Sequence, residues 1–161
     1  MTQQLQERST GSAIGEAFYR PWLTWSGGLL VLTAVGQVIA SRNDDDLEVR
    51  ESWLSDSVFV VVATVVFGAI ALLFARRALA GDERRQERTV IGLTVYAVVL
   101  GVVGWFTAAP HAAGLAAVLL ARATGAGQRS AGAKAATVIS LVVVVGLTVF
   151  CWSALIAEDL L

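Results

Sequence analysis

From Thr89 to Ala121 the chain runs for 33 residues without an Asp, Glu, Lys or Arg. One helix of that length would rise about 50 Å, well past a hydrocarbon core of about 30 Å. The run must therefore break, and Ala109-Pro110-His111 supplies the break. Proline lacks a backbone donor, clashes with the preceding helical turn and restrains the residue before it. Two apolar segments result, at about 89–106 and 110–124, joined by a tight turn.

Similar uncharged runs lie on both sides. They lift the 161-residue chain to 56% hydrophobic and 16% charged, with a mean hydropathy of +0.68. Soluble domains hold about 45–50% apolar and about 25% charged residues. The excess excludes a soluble enzyme, a disordered chain and a collagen-like repeat, and the single cysteine, Cys151, excludes a disulfide scaffold. A net charge of −1 argues against a nucleic-acid partner. The fold class expected is all-α, a polytopic transmembrane helical bundle forming one membrane domain over 1–161. Five spans are preferred, at about 22–40, 58–79, 89–106, 110–124 and 135–157. The runner-up has four spans plus a re-entrant or interfacial segment, because 15 residues at 110–124 reach only about 22 Å.

The connecting segments are short. Residues 1–20 read as a loose cytoplasmic tail in which Ile14 and Phe18 form an i,i+4 apolar pair suited to a short interfacial helix. Pro21 suits the first turn of the first span. Val38-Ile39-Ala40 also fits the small-residue pattern of a signal-peptidase site, although the apolar run is long for a signal peptide and favours an uncleaved anchor. Residues 42–56 form an acidic outer loop, where Asp45 and Glu48 resemble a capping box leading a short helix into the second span. Residues 76–88 and 122–134 read as basic loops, the second rich in small residues.

Charge orients this arrangement. With the N-terminus inside and five spans, ten of the twelve basic residues face the cytoplasm and eight of the thirteen acidic residues face outside, including Glu158 and Asp159. Omitting the fourth span reduces the inner basic count to seven. The positive-inside bias thus favours five spans with the C-terminus outside. Arg76, Arg77, Arg84, Arg85 and Arg88 are the expected topology and lipid-headgroup residues. Trp22, Trp25, Trp53, Trp105 and Trp152 all fall near span ends and are expected interface anchors. Eleven Arg against one Lys, with abundant Ala, Val and Gly, point to a GC-rich genome and a prokaryotic inner membrane.

Little in the sequence points to chemistry. His111 is the only histidine, too few for a His-based zinc or bis-His haem site. It reads as a turn residue at the outer surface; the alternatives are a ligand shared with another subunit or a pH-sensitive contact. A Cys151–His111 pair is conceivable, both lying toward the outer side, but no nucleophile motif accompanies it. No charged residue sits mid-span, Arg122 lying near an end, which argues against a proton pump or ion-coupled transporter working alone. Gln37, Thr33, Thr64, Thr94, Tyr96, Ser140 and Thr148 are expected to bond backbone carbonyls or neighbouring helices. Asp44, Asp45, Asp46, Glu48 and Glu51 form a candidate partner-binding patch for a basic surface. They lack the spacing of a calcium loop, so no metal, cofactor or catalytic residue is assigned.

Small residues four apart recur at Thr64/Gly68, Ala71/Ala75, Ala97/Gly101, Gly104/Ala108, Ala112/Ala116, Ala117/Ala121 and Ala136/Ser140. Such pairs let helices approach closely. Phe59, Val62, Val66 and Phe67 are left for lipid or another membrane protein.

The segment from Gly92 to Gly146 contains Gly101-Val-Val-Gly104, Pro110, Gly114-Leu-Ala-Ala-Val-Leu-Leu-Ala-Arg122 and Gly127-Gln-Arg-Ser-Ala-Gly132 before a Leu/Val-rich span. It resembles a pattern found in small multi-pass membrane proteins of actinobacterial type that have no established activity. That resemblance implies a helical hairpin, a basic Gly-rich loop and one more helix, and it implies no activity.

Short loops, apolar spans and an acidic outer patch lead to a non-catalytic accessory or scaffold subunit of a larger inner-membrane complex. Its expected partners are membrane lipid and other membrane subunits or further copies of itself. The alternatives are a small oligomeric transporter, channel or lipid-interacting protein, and a membrane sensor or regulator using the Arg76–Arg88 segment.

Overall fold

The computed structural model describes residues 2–43, 47–104 and 107–159, with side chains described for 15–36, 55–104, 107–153 and 156. The described chain is helical: α1 (Thr2–Asn43), α2 (Leu47–Leu79), α3 (Glu83–Val103), α4 (Ala109–Thr124), α5 (Ala126–Arg129) and α6 (Ala131–Asp159). Among the described residues, three helical stretches are long and apolar enough to cross a membrane: Ser55–Leu79, Glu83–Val103 and Ala131–Ser153.

The break expected at Pro110 is present. α3 stops at Gly104, whose N–H bonds Leu100 O, and α4 begins with Pro110 in its first turn. Another helix helps to cap the new start: Ala108 N donates to Thr64 Oγ1 of α2 at 3.2 Å. Gly125, at φ 69°, closes α4 in the left-handed conformation that glycine adopts without a Cβ penalty.

α4 lies at the centre of the bundle, packed against α1, α2, α3 and α6. Its residues from Ala109 to Gly114 are buried without interruption, followed by Ala116, Ala117, Leu120 and Ala121. Ala71, Ala75 and Ala78 of α2, Leu93 and Ala97 of α3, and Ala133 and Ala136 of α6 belong to the same buried cluster as the α4 residues. Alanine and glycine are what permit this closeness. A Cβ on Gly114 would lie 2.8 Å from Val144 Cγ2 and 3.3 Å from Ser140 O. The segment 110–124 is therefore an interior helix, not a surface-lying one. The pair Gly104/Ala108 shares no helix face, because the chain turns between them.

Four sequence expectations are corrected. The tail is no loose segment: α1 continues from Thr2 through Pro21. Phe18 and Trp22, on either side of the proline, are both buried in the core, and this packing offsets the backbone bond lost at Pro21. The segment 76–88 is mostly helix. Arg76 and Arg77 end α2, and Asp82 caps α3 by accepting from Arg85 N at 2.9 Å. Likewise, 122–134 contains the one-turn helix α5. The short helix expected before the second span is the start of α2 itself. Asp45, its expected cap, lies outside the described residues.

Trp22 gives the register of α1. A Cβ on Gly68 would lie 3.7 Å from Ala112 Cβ and 3.9 Å from the Trp22 ring. Asn43 lies 21 residues beyond Trp22, and Leu47 lies 21 residues before Gly68. Equal arms about one contact make α1 and α2 an antiparallel pair.

Candidate functional site

Five arginines follow the apolar part of α2, and the fold separates them. Arg76 and Arg77 are exposed on its last turn. Arg84, Arg85 and Arg88 lie on the first turns of α3, where they border a cavity of about 590 Å³ with Asp82, Thr89, Gly92, Leu93, Tyr96 and Phe74 of α2. From Arg85 through Thr89, Gly92 and Tyr96, these positions step by three or four and so share one helix face.

The groove has a charged mouth and an apolar depth. Among the described residues Asp82 is the one acidic residue in its lining, and its Oδ1 accepts from Arg85 N. Among the described residues the guanidinium groups of Arg84, Arg85 and Arg88 have no ion-pair partner. Gly92 opens the floor, since a Cβ there would meet nothing within 4 Å. Tyr96 bounds the far end, its hydroxyl donating to Phe67 O at 3.4 Å and its ring edge-on to Phe67. Phe74 is 51% exposed on the open flank.

A second basic cavity, about 350 Å³, lies at the same end and is bordered by Arg122, Gln128, Lys134 and Thr137. One side chain ties the two regions together. Arg129 Nη1 lies 2.8 Å from Glu83 Oε1, and Nη2 lies 2.9 Å from Gln86 Oε1. The two basic segments therefore share one end of the bundle, the basic end.

Other expected residues fall elsewhere. Trp22, expected as an interface anchor, is packed inside the bundle. It is 7% exposed, lies level with Gly68 in the middle of the Ser55–Leu79 stretch, and its Nε1 donates to Ala112 O at 3.0 Å. An indole N–H needs an acceptor wherever it lies, and the α4 carbonyl serves in place of interfacial water. Trp25 is 65% exposed and Trp152 partly buried. Trp105, Asp44, Asp45 and Asp46 lie outside the described residues, as do the side chains of Trp53, Glu48 and Glu51.

His111 is also corrected. It is 5% exposed, inside the first turn of α4 rather than at the outer surface. Ser26 Oγ and Ser57 Oγ are buried without hydrogen-bond partners among the described residues. Cys151 is partly buried on α6. Among the described residues, no three His, Cys, Asp or Glu side chains group together.

The mid-helix polar groups whose side chains are described bond as expected. Thr94 Oγ1 lies 2.9 Å from Val90 O, 3.1 Å from Ala136 O and 2.8 Å from Ser140 Oγ, joining α3 to α6. Thr33 and Thr148 donate to the carbonyls of Leu29 and Val144, four residues back. The Gln37 side chain lies outside those described.

Together these features define the class: an all-helical bundle with three membrane-length apolar helices and a basic end. No protein-family model matches the chain, and no curated protein or solved structure is significantly similar to it.

Proposed function

We propose that this chain is a non-catalytic accessory or scaffold subunit of a larger complex in a prokaryotic inner membrane. The carrying observation is the division of side-chain size. The interior around α4 is filled with alanine and glycine, while Val62, Val65, Val66, Leu73 and Phe74 of α2 and Val138, Val142, Val145 and Val149 of α6 are exposed. Apart from a few large core side chains such as Phe18, Trp22 and Leu120, the interior is closed with small residues, and most large apolar side chains face outward.

In this reading the chain crosses the bilayer five times, α1 and α4 joining the three longer apolar stretches. The basic end faces the cytoplasm, the N-terminus lies inside and the C-terminus outside. The Arg129–Glu83 contact supports that topology, because it keeps both basic segments on one side, as the positive-inside bias favours. The acidic segment 42–56 then faces outward, toward a basic partner surface. The lipid-interacting alternative draws on a separate observation, the arginine-mouthed groove.

Photo-crosslinking in native membranes tests the subunit reading. Probes at Val62 and Val66 on α2 and at Val142 on α6 should yield a discrete protein adduct from at least one face. Native separation in mild detergent should then recover the chain with that polypeptide. Lipid adducts alone at every position, with migration as a lone monomer, would overturn it.

A further inference from the structure

We propose that the groove between the end of α2 and the start of α3 binds one anionic phospholipid. Its phosphate sits among Arg84, Arg85 and Arg88, and an acyl chain lies along Phe74, Leu93 and Tyr96. This goes beyond the subunit reading and does not depend on it.

Three features select this ligand. First, the mouth carries three guanidinium groups against one carboxylate, and that carboxylate already caps α3. Guanidinium forks match phosphate oxygens in geometry and charge. Second, the walls turn apolar within two helical turns: Arg88 and Tyr96 are separated by about 12 Å along the axis. A free anion would use only the mouth. Third, the groove opens sideways onto exposed apolar surface, with Phe74 at 51% and Val95 at 58% exposure. The occupant therefore enters from the bilayer, with its headgroup at the basic end and its tail among apolar side chains. An acidic peptide in water would not reach the tail half.

Gly92 is the feature that makes the groove more than a charged surface. It sits between the arginines and Tyr96, and the missing side chain leaves the floor open. A leucine there fills the groove without changing any charge and suits a helix better than glycine.

The experiment uses the full chain purified in mild detergent, with native mass spectrometry and thermal melting as readouts. The lipid probes are phosphatidylglycerol and phosphatidylcholine with the same tails; the third probe is inorganic phosphate. Wild type should retain one phosphatidylglycerol, melt higher with it than with phosphatidylcholine, and lose the preference at high salt. Arg84→Gln/Arg85→Gln/Arg88→Gln should weaken retention by about tenfold to a hundredfold. Gly92→Leu should also lose the lipid with all three arginines in place, while its lipid-free helicity and melting stay at wild-type level or above. Arg76→Gln/Arg77→Gln should retain it.

Equal retention of the two lipids would overturn the proposal. So would undiminished retention by Gly92→Leu, which holds even if the triple variant fails to fold. Full displacement by millimolar phosphate would also overturn it, assigning the mouth to a free anion instead.

Discussion

Arg129 and Glu83, 46 residues apart in sequence, meet at 2.8 Å and join the one-turn helix α5 to the start of α3. The pair is solvent-accessible, with side-chain exposures of 32% and 74%. Its energetic value is small, but it fixes on which end of the bundle each basic segment lies.

Glu83→Gln should therefore cost less than about 1 kcal/mol. The geometric consequence is larger. In a Cys151→Ser background, cysteines at 83 and 129 should be joined by a short bismaleimide. In right-side-out vesicles both should stay unlabelled by an impermeant thiol reagent, and in inverted vesicles both should react. Opposite accessibility of the two would refute the shared end.

Gly114 and Gly92 should respond oppositely to alanine. At Gly114 a Cβ would meet Val144 Cγ2 at 2.8 Å and Ser140 O at 3.3 Å. Overpacking costs about 1–3 kcal/mol, and the helical gain of about 1 kcal/mol offsets part of it. Gly114→Ala should lower the melting temperature, and Val144→Ala should recover part of the loss. At Gly92 the space is open, so Gly92→Ala should be neutral or stabilising by up to about 1 kcal/mol. Matching responses at both positions would contradict the packing described around α4.

Trp22→Phe keeps the ring and removes the donor to Ala112 O. It should destabilise the bundle by about 1 kcal/mol, whereas Trp22→Ala should cost about 3–5 kcal/mol. Unfolding titrations in mixed micelles measure both. If both variants unfolded like wild type, Trp22 would be a surface residue after all.

Thr94 and Ser140 should be coupled. Single Thr94→Val and Ser140→Ala variants and their double give a cycle with an expected interaction of about 0.6 kcal/mol, the average for hydrogen bonds between membrane helices. Additive single effects would remove the α3–α6 bond from the account.

How far each residue is legible in the sequence depends on the range of its determinants. The α3–α4 break follows from Pro110 alone, because proline acts on its own turn. Polar spacing likewise anticipates Thr33 and Thr148, whose acceptors lie four residues back. Trp22 is different: a span-end aromatic satisfies its N–H equally well at an interface or against Ala112, 90 residues away, and only the α1–α2 register separates the two. His111 misleads because polarity reads as surface, while its burial is set by the helices around α4. The arginines of 76–88 read as loop, yet Asp82 before Glu83 is an N-cap signal that locates the start of α3. The groove itself is faintly visible as Arg85, Arg88, Thr89, Gly92 and Tyr96 at helical spacing, but Phe74 joins it only through the packing of α2.

The unbroken burial of Ala109 to Gly114 alters how mutations distribute along α4. Most helices tolerate change on one side and resist it on the other, so their sensitivity oscillates with the turn. The first turns of α4 have no tolerant side. A saturation scan there should give a flat, intolerant plateau, with side-chain volume rather than angular position setting the limit. Drift in this protein is thereby channelled outward, into the helices that face whatever surrounds the bundle.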